Sequence, residues 1–433
     1  MRQRREKRKG RAGFTRREFI RTSLAGAAGM VMGSSLGPSP ARAETPIKMG
    51  LFGVCSGPIG MSGEACYRGV KLWAEQVNAR GGLLGRKVEV IQRDTQNKPE
   101  EAVRFAREFA AGGDIDFIFA HGSSAEAFAV ASAAKEIKRV IFAANETTEF
   151  TADPKVRTPY TFRSTRNTLL DNIVSARYAA KKAQEMGLTR WYTIAGDYAY
   201  GRDSVNTFVE YLKKYYPNVE IIGQAWPKLG EPDFTAHITA IMGAKPHAVF
   251  TVLFAGDIVT FVKQGSMYGL FGQTRFFHKD LTDFMVMDPI IKALGKLPAG
   301  MFSGTRYLRV FPDTKENHDF SDQHQKAFGS RPLNWTWATY TGALLIEEAV
   351  KKAKTTENEA VIRALRDLTV QAPTGVGKNG TVTMRGRDGQ LISYAMGWGT
   401  TVEQDPYLTD IVAGNWDEML EEETAWLKRK GWL

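Results

Sequence analysis

Polar side chains come directly after several strand-like runs of the sequence, where a parallel sheet would present them to a bound molecule. Ser123 opens an alanine-rich helical stretch, and the free N–H groups there favour an anion such as a carboxylate. A plain helix N-cap is the alternative interpretation of Ser123. Ala144 and Glu146 follow the next strand-like run. Glu146 could accept a hydrogen bond from an ammonium or amide group, or it could cap the following turn in solvent.

Aromatic and acidic side chains occupy the corresponding places in the second half of the chain. Tyr198 and Tyr200 follow a strand-like run, and tyrosines can wall a pocket with apolar area while keeping a polar tip. Phe254 and Asp280 also follow strand-like runs. A single acid in such a place is more often a surface residue, so Asp280 is a candidate binding residue beside that alternative.

No catalytic pattern accompanies these residues. The sequence contains neither the G-x-S-x-G nor the H-E-x-x-H pattern, and its six histidines are scattered, as expected of surface or capping residues. Residues 375–380 match G-x-G-x-x-G, but a strand-like segment follows them instead of a helix, so a turn is predicted. We therefore expect no enzyme, no catalytic residue, no cofactor and no metal.

Alternating strand-like and helical segments position the candidate residues. The first block predicts strands at Ile47–Val54, Lys87–Arg93, Phe117–Ala120 and Val140–Ala143, with helices between them at 64–78, 99–110 and 124–136. The second block predicts strands at 191–195, 219–224, 248–252 and 274–277, with helices at 167–185, 204–215, 234–242 and 258–268. This order predicts an α/β fold in which parallel sheets carry helices on both faces.

The remaining part of the chain is predicted to be mixed. Two helix-rich segments are expected at 317–328 and 335–354, and a short hairpin is expected from 381–384 and 390–398. The connection between the two blocks, at residues 163–165, is short. A short connection suits two lobes joined by a hinge rather than separate domains on a linker.

An export signal is predicted at the N-terminus. Residues 1–43 carry eleven Lys and Arg against two Glu, whereas the rest of the chain is nearly neutral, so we exclude nucleic acid as a partner. Thr15–Arg21 resembles the twin-arginine signal, and Ala41–Ala43 forms an A-x-A cleavage site. An ordinary basic region for the general secretion route is the alternative. We expect cleavage after Ala43. The mature chain is then expected in the periplasm and free in solution, because no later stretch is apolar enough to span a membrane.

The two cysteines leave their redox state open. Cys55 and Cys66 are the only cysteines of the chain. One disulfide in an oxidising compartment and two buried thiols both fit this pair.

Short motifs mark the start of the mature chain: Ile47–Val54, Ser56-Gly57-Pro58, Gly81-Gly82-Leu83-Leu84-Gly85-Arg86 and Asp94. Further motifs lie at 140–151, at 200–201, at Gln264 with 269–270, and at 340–353. Together they resemble the leucine/isoleucine/valine-type solute-binding proteins, the type I periplasmic binding proteins, over nearly all of the mature chain. The resemblance implies two Rossmann-like lobes joined by a three-stranded hinge, with the ligand between them. Lobe 1 is expected at 44–163 plus about 306–372, and lobe 2 at 164–305 plus about 373–433.

The resemblance also implies roles for the candidate residues. By position, Ser123 resembles the family's carboxylate-binding serine, and Ala144 resembles the residue whose carbonyl accepts from the ligand's ammonium. Tyr200 resembles the tyrosine that closes from the second lobe. Phe254 falls where another aromatic is common, and Asp280 falls where an acid pairs with the ammonium.

Two departures from the family pattern bear on the ligand. Glu146 stands where the family usually has Thr, and Ser62 stands where an aromatic often covers the ligand. An additional carboxylate would repel an anionic ligand or demand a more cationic or amide-rich one. Both departures count against a branched-chain amino acid as the ligand.

The resemblance thus implies a monomeric solute-binding protein that captures an amino acid, amide or aromatic acid and delivers it to the permease subunits of an ABC importer. A periplasmic ligand sensor of the same fold is the alternative. Because the twin-arginine export machinery often carries folded cofactor enzymes, an exported oxidoreductase is a further rival.

Overall fold

The computed structural model describes residues 45–57 and 59–433. The predicted signal peptide at 1–43 and Pro58 of the first predicted turn lie outside the described residues. None of the helices in the described part of the chain is long and apolar enough to cross a membrane.

A five-stranded parallel sheet forms from the first block of the chain. Its strands are β1 (Ile47–Gly53), β2 (Val88–Asp94), β3 (Phe117–His121), β4 (Ile141–Ala144) and β5 (Thr161–Phe162), in the spatial order β2-β1-β3-β4-β5. The intervening helices are α1 (Gly60–Ala79), α2 (Pro99–Ala111), α3 (Ser124–Ile137) and α4 (Glu149–Ala152). Apolar side chains are buried on both faces, such as Trp73 on one and Phe109 on the other. The predicted strand–helix alternation is confirmed here.

The second block repeats this pattern. Its strands are β6 (Arg190–Ile194), β7 (Glu220–Ala225), β8 (Ala248–Thr251), β9 (Arg275–His278) and β10 (Phe302–Gly304). Its helices are α5 (Thr168–Met186), α6 (Ala199–Tyr215), α7 (Thr235–Ala244), α8 (Gly256–Met267) and α9 (Phe284–Leu294). Sequence reasoning missed α9, which contains Pro289, and β10, which has only three residues. Both features weaken the periodic signals on which such predictions depend.

Three helices and a small antiparallel sheet follow. The helices are α10 (Lys315–Phe328), α11 (Asn334–Ala353) and α12 (Asn358–Leu365), and α11 packs back against α1. The sheet consists of β11 (Leu368–Gln371), β12 (Thr381–Met384) and β13 (Leu391–Ile392). The G-x-G-x-x-G match forms the predicted turn before β12, where a Cβ on Gly375 would meet the carbonyl oxygen of Gly380 at 2.2 Å.

The C-terminal segment completes the second sheet. Strands β14 (Gly397–Thr401) and β15 (Leu408–Ala413) give it the order β15-β14-β10-β9-β8-β6-β7, and helix α13 (Trp416–Lys430) packs on α5. The prediction of one strand over 390–398 is wrong. This stretch is divided between β13 and β14, which belong to different sheets because the chain crosses between the sheets at residues 393–396.

Three connections, or crossings, lead into or out of the second large sheet: residues 163–167 from the first sheet, residues 305–314 towards α10 and α11, and residues 393–396 from the small sheet. Buried arginines join these crossings. Arg166 donates through Nη2 to the carbonyl oxygens of Thr305 and, at 3.1 Å, of Arg306. Arg163 donates through Nε to Gln390 Oε1 at 2.5 Å. The first crossing is therefore hydrogen-bonded to the second and to the segment that leads into the third.

Both cysteines are thiols in this structure. Cys66 is buried and Cys55 is half-buried, with its sulfur 3.1 Å from Nε2 of Gln92, which donates to it. Burial raises the pKa of Cys55 to about 11, so this thiol is protonated at neutral pH.

Candidate functional site

A cavity lies between the carboxyl ends of the strands of the two large sheets. On the first side it is lined mainly by residues at or after the ends of β3 and β4 or at the start of α1, including Ser62, His121, Ser123, Ala144 and Glu146. On the second side it is lined by residues that follow β6 and β8: Tyr198, Tyr200 and Phe254. Arg306, which follows β10, and Trp335, at the start of α11, complete the lining. The cavity, which is partly open to solvent, measures ≈ 60 Å³, which is room for a few water molecules. Only a small molecule can occupy it, and a ring would have to move some of the lining side chains.

Five of the six binding residues predicted from the sequence line this cavity: Ser123, Ala144, Glu146, Tyr200 and Phe254. The sixth, Asp280, lies behind the guanidinium of Arg306 and is 2% exposed. The solvent-exposed alternatives considered for Glu146 and Asp280 are wrong, because Glu146 is only 4% exposed.

The start of α3 presents Ser123 to the cavity. Its backbone N–H donates to Oε2 of Glu126 at 2.9 Å, which is the return bond of a capping box. Burial raises the pKa of Glu126. The first N–H groups of α3 have no partner within the helix, so this end of the cavity carries donors and the positive end of the helix dipole.

A buried guanidinium forms the polar floor of the cavity. Arg306 is 3% exposed, and its Nη1 donates to Glu146 Oε1 at 2.8 Å. Its Nη2 donates to the hydroxyl of Tyr200 at 2.6 Å, and its Nε lies 2.9 Å from Asp280 Oδ2. Glu146 follows a strand of the first sheet and Tyr200 a strand of the second. Arg306 therefore links the two sides of the cleft.

Further charges behind Arg306 balance this floor. Lys279 Nζ lies 3.3 Å from Asp171 Oδ2, and Arg166 Nη1 lies 3.1 Å from Asp171 Oδ1. Burial raises the pKa of Asp171, but Lys279 and Arg166 outweigh burial and hold that pKa below its usual range. Burial also raises the pKa of Asp280, but the charge of Arg306 outweighs burial and lowers that pKa below its usual range. The cluster is thus neutral, with three carboxylates and three cations: Glu146, Asp171, Asp280, Arg166, Lys279 and Arg306.

Aromatic rings wall the rest of the cavity. The rings of Tyr198 and Tyr200 are 5.8 Å apart, and Phe254 meets Trp335 edge to face at 6.4 Å. The guanidinium of Arg306 lies 5.8 Å from the ring of Trp335. These walls favour a ligand with a flat apolar body.

A neutral histidine completes the first side. His121 Nδ1 donates to the carbonyl oxygen of Ala144 at 2.9 Å, and its Nε2 lies 2.7 Å from Ser62 Oγ. Burial lowers the pKa of His121 to about 4, so the ring carries no charge at neutral pH. The carbonyl that the family resemblance reserves for a ligand's ammonium therefore already accepts a hydrogen bond from the protein.

Sequence reasoning missed Arg306, Trp335 and His121. The expectation that most histidines are surface or capping residues is wrong, because three of the six, His121, His278 and His324, are buried. The position in the sequence indicated burial for two of these three histidines. His121 and His278 are the last residues of β3 and β9, at the sheet edge where ligands bind. Among the described residues, no group of three or more His, Cys, Asp and Glu side chains could hold a metal ion.

Comparison with known proteins gives a consistent result. A family model described as periplasmic binding protein matches residues 46–398. The Leu/Ile/Val-binding protein homolog 7 of Brucella abortus (strain 2308) is 24% identical over 347 residues, which covers 78% of this chain and 84% of that protein.

Solved structures share the fold. A solute-binding protein of an ABC transporter from Rhodopseudomonas palustris BisB5, in complex with 3,4-dihydroxybenzoic acid, aligns with a TM-score of 0.74 at 23% identity over 86% of this chain and 97% of that one. An amino acid ABC transporter substrate-binding protein from Pseudomonas fluorescens Pf-5 aligns with a TM-score of 0.73 at 22% identity over 86% and 96% of the two chains. With two α/β halves, a cavity between their strand ends and a family match over most of its length, this chain belongs to the periplasmic binding protein family.

Proposed function

We propose that this protein captures a small organic acid between its two lobes in the periplasm and delivers it to an ABC importer. The observation that carries the proposal is the cavity that both sheets line with the residues after their strands. Closure of the lobes would remove the ligand from water and present a new surface to the importer.

The similar solved structures support an organic acid. One holds 3,4-dihydroxybenzoic acid, and another is named as an amino acid transporter component. Both ligand classes combine a carboxylate with a compact body. The donors at the start of α3 suit the carboxylate, and the aromatic walls suit the body.

Lobe boundaries and export are part of the proposal. Lobe 1 comprises 44–163 with about 306–372, and lobe 2 comprises 164–305 with about 373–433. The twin-arginine machinery exports the chain, and cleavage after Ala43 releases a monomer. N-terminal sequencing of the exported protein tests the cleavage site. Size-exclusion chromatography coupled to light scattering tests whether the product is a monomer.

Calorimetric titration of the exported protein tests the binding function. The panel is benzoate, 4-hydroxybenzoate, leucine, phenylalanine and glutamine. We expect one class to bind with one-to-one stoichiometry and to raise the thermal unfolding midpoint, because a ligand at one hundred times its Kd stabilises the folded state by about 2.7 kcal/mol.

A matched pair of serine variants locates the binding. Ser123→Ala is expected to weaken binding of the panel ligand by about 1–3 kcal/mol, because a hydrogen bond to a charged group is lost. Ser132 lies on the exposed face of the same helix, so Ser132→Ala is the control and is expected to leave the affinity unchanged. Absence of heat and of any midpoint shift across the panel would contradict the proposed function, and equal losses in the two variants would contradict the site.

A further inference from the structure

We infer that the ligand of this cleft is an aromatic monocarboxylate without an amino group, because the chain supplies from Arg306 and His121 the donors that an amino acid's ammonium would otherwise bring. The inference rests on the proposed binding function and names the ligand class of the same cavity.

Two acceptors on the first side of the cavity already accept hydrogen bonds from the protein. The carbonyl oxygen of Ala144 accepts from His121 Nδ1 at 2.9 Å. Glu146 Oε1 accepts from Arg306 Nη1 at 2.8 Å and from Asn334 Nδ2 at 3.3 Å. An ammonium would therefore compete with His121 and Arg306 for these two oxygens.

The acid beneath Arg306 also lies beside a cation of the protein. Asp280 Oδ2 lies 2.9 Å from Arg306 Nε, and the backbone N–H of Asp280 donates to His278 Nδ1 at 2.9 Å. Asp280 is 2% exposed and does not line the cavity. Among the described lining residues, Glu146 is the one carboxylate, and its charge is compensated by the chain itself.

The donors that remain point to an anion. A guanidinium carries five N–H groups, and two of those of Arg306 donate to Glu146 and Tyr200, while Nε lies 2.9 Å from Asp280 Oδ2. The cavity therefore offers spare donors from a buried cation and from the first N–H groups of α3. A carboxylate accepts hydrogen bonds from such donors, whereas an ammonium can only donate.

The walls select the body of this anion. Tyr198, Tyr200, Phe254 and Trp335 surround the cavity, and aromatic walls bury a flat ring efficiently. The small space of ≈ 60 Å³ argues against a long or branched molecule. A benzoate-like acid meets both conditions once some of the lining side chains move to admit its ring.

Matched ligand pairs test the inference on the unaltered protein. Leucine is compared with 4-methylpentanoate and phenylalanine with 3-phenylpropanoate, since the members of each pair differ only in the amino group, and benzoate is titrated alongside. We expect benzoate to bind, and each deaminated acid to bind at least roughly tenfold more tightly than its amino acid. Tighter binding of the amino acids would overturn the inference while leaving the capture function in place. Absence of binding by all five compounds would overturn both.

An arginine variant tests the cause. In Arg306→Gln the carboxylates of Glu146 and Asp280 lose their internal partner, so benzoate affinity is expected to fall at least roughly tenfold and selectivity within each pair to shift towards the amino acid. Arg306→Lys keeps the charge and is expected to keep the preference for the deaminated acid. Arg309→Gln, which removes an exposed arginine paired with Asp322, is the control with unchanged affinities. Unchanged selectivity in a folded Arg306→Gln protein would overturn the inference, and if that variant does not fold, the ligand pairs on the unaltered protein decide.

Discussion

Buried acids near the cleft differ in how their charges are compensated. Glu146 faces the guanidinium of Arg306, whereas Glu149 at the start of α4 lies near a second acid, Asp203 of α6. Asp203 accepts from the backbone N–H of Thr148 at 3.0 Å and so joins α6 to α4 across the cleft. Burial, followed by the charge of Asp203, raises the pKa of Glu149 to about 7, and burial also raises the pKa of Asp203. Oε2 of Glu149 has no hydrogen-bond partner among the described residues.

This raised pKa predicts a pH-dependent stability. The folded-state pKa of Glu149 lies above its ordinary value of 4.5. The protonated carboxyl of Glu149 therefore contributes stability that is complete below about pH 4.5 and is lost as the pH rises through about 7. In Glu149→Gln the side chain cannot ionise, so this loss of stability with rising pH does not occur. We expect the free energy of unfolding of the unaltered protein to fall by roughly 1–3 kcal/mol relative to Glu149→Gln between about pH 5 and about pH 8.

Urea unfolding of both proteins at the two pH values measures this difference. Glu136→Gln is the control, because Glu136 is an exposed acid paired with Arg107. Parallel pH profiles for the unaltered protein and Glu149→Gln would show that Glu149 is ionised at no cost in the folded state.

At the level of elements, the packing of α1 against α11 sets one corner of the cavity, because Ser62 lies near the start of α1 and Trp335 near the start of α11. The two helices approach closely at Gly69. A Cβ there would meet the carbonyl oxygen of Thr336 and Oγ1 of Thr339 at 2.3 Å each. The first of these atoms belongs to the backbone, so a side chain at position 69 must push the helices apart.

Gly69→Ala is therefore expected to destabilise the fold by about 1–3 kcal/mol, as overpacking does in closely packed cores. Gly243→Ala in α7 is the matched control, since a Cβ there meets nothing within 4 Å. An exposed helical Gly→Ala change is expected to be neutral or to stabilise by up to about 1 kcal/mol. Urea unfolding of both variants measures the difference, and equal free energies of unfolding would contradict the close packing of α1 and α11.

On the scale of the whole molecule, the strand–helix order predicted the parallel strands of both large sheets, but not the antiparallel edge strands β14 and β15, and it predicted most of the candidate site. Residues after strands lie at the carboxyl edge whatever the details of the helices, which is why five of the six predicted binding residues line the cavity. Arg306 could not be predicted, because it follows a strand of three residues and its partners Glu146 and Tyr200 are 160 and 106 positions away. Pairings over such distances depend on how the two sheets meet, and local periodicity does not encode that.

The crossings between the sheets were anticipated only in part. The short connection at residues 163–165 indicated a hinge, and the family resemblance put a lobe boundary near residue 305, but no local pattern marked the crossings at 305–314 and 393–396. Arg166 is 2% exposed and donates to carbonyl oxygens of residues in two crossings, such as Arg306 and Ala395. A buried arginine in a connection shows its role only when its acceptors are known.

A crystal structure of the exported protein with the panel ligand that binds most tightly is the most direct test of ligand capture between the sheets. Ordered density is expected in the cavity that Ser123, Tyr200 and Arg306 line, with the acidic group of the ligand at the start of α3 and its body among the aromatic rings. Density for a fully occupied ligand on any other surface, with this cavity still closed around Arg306, would contradict it.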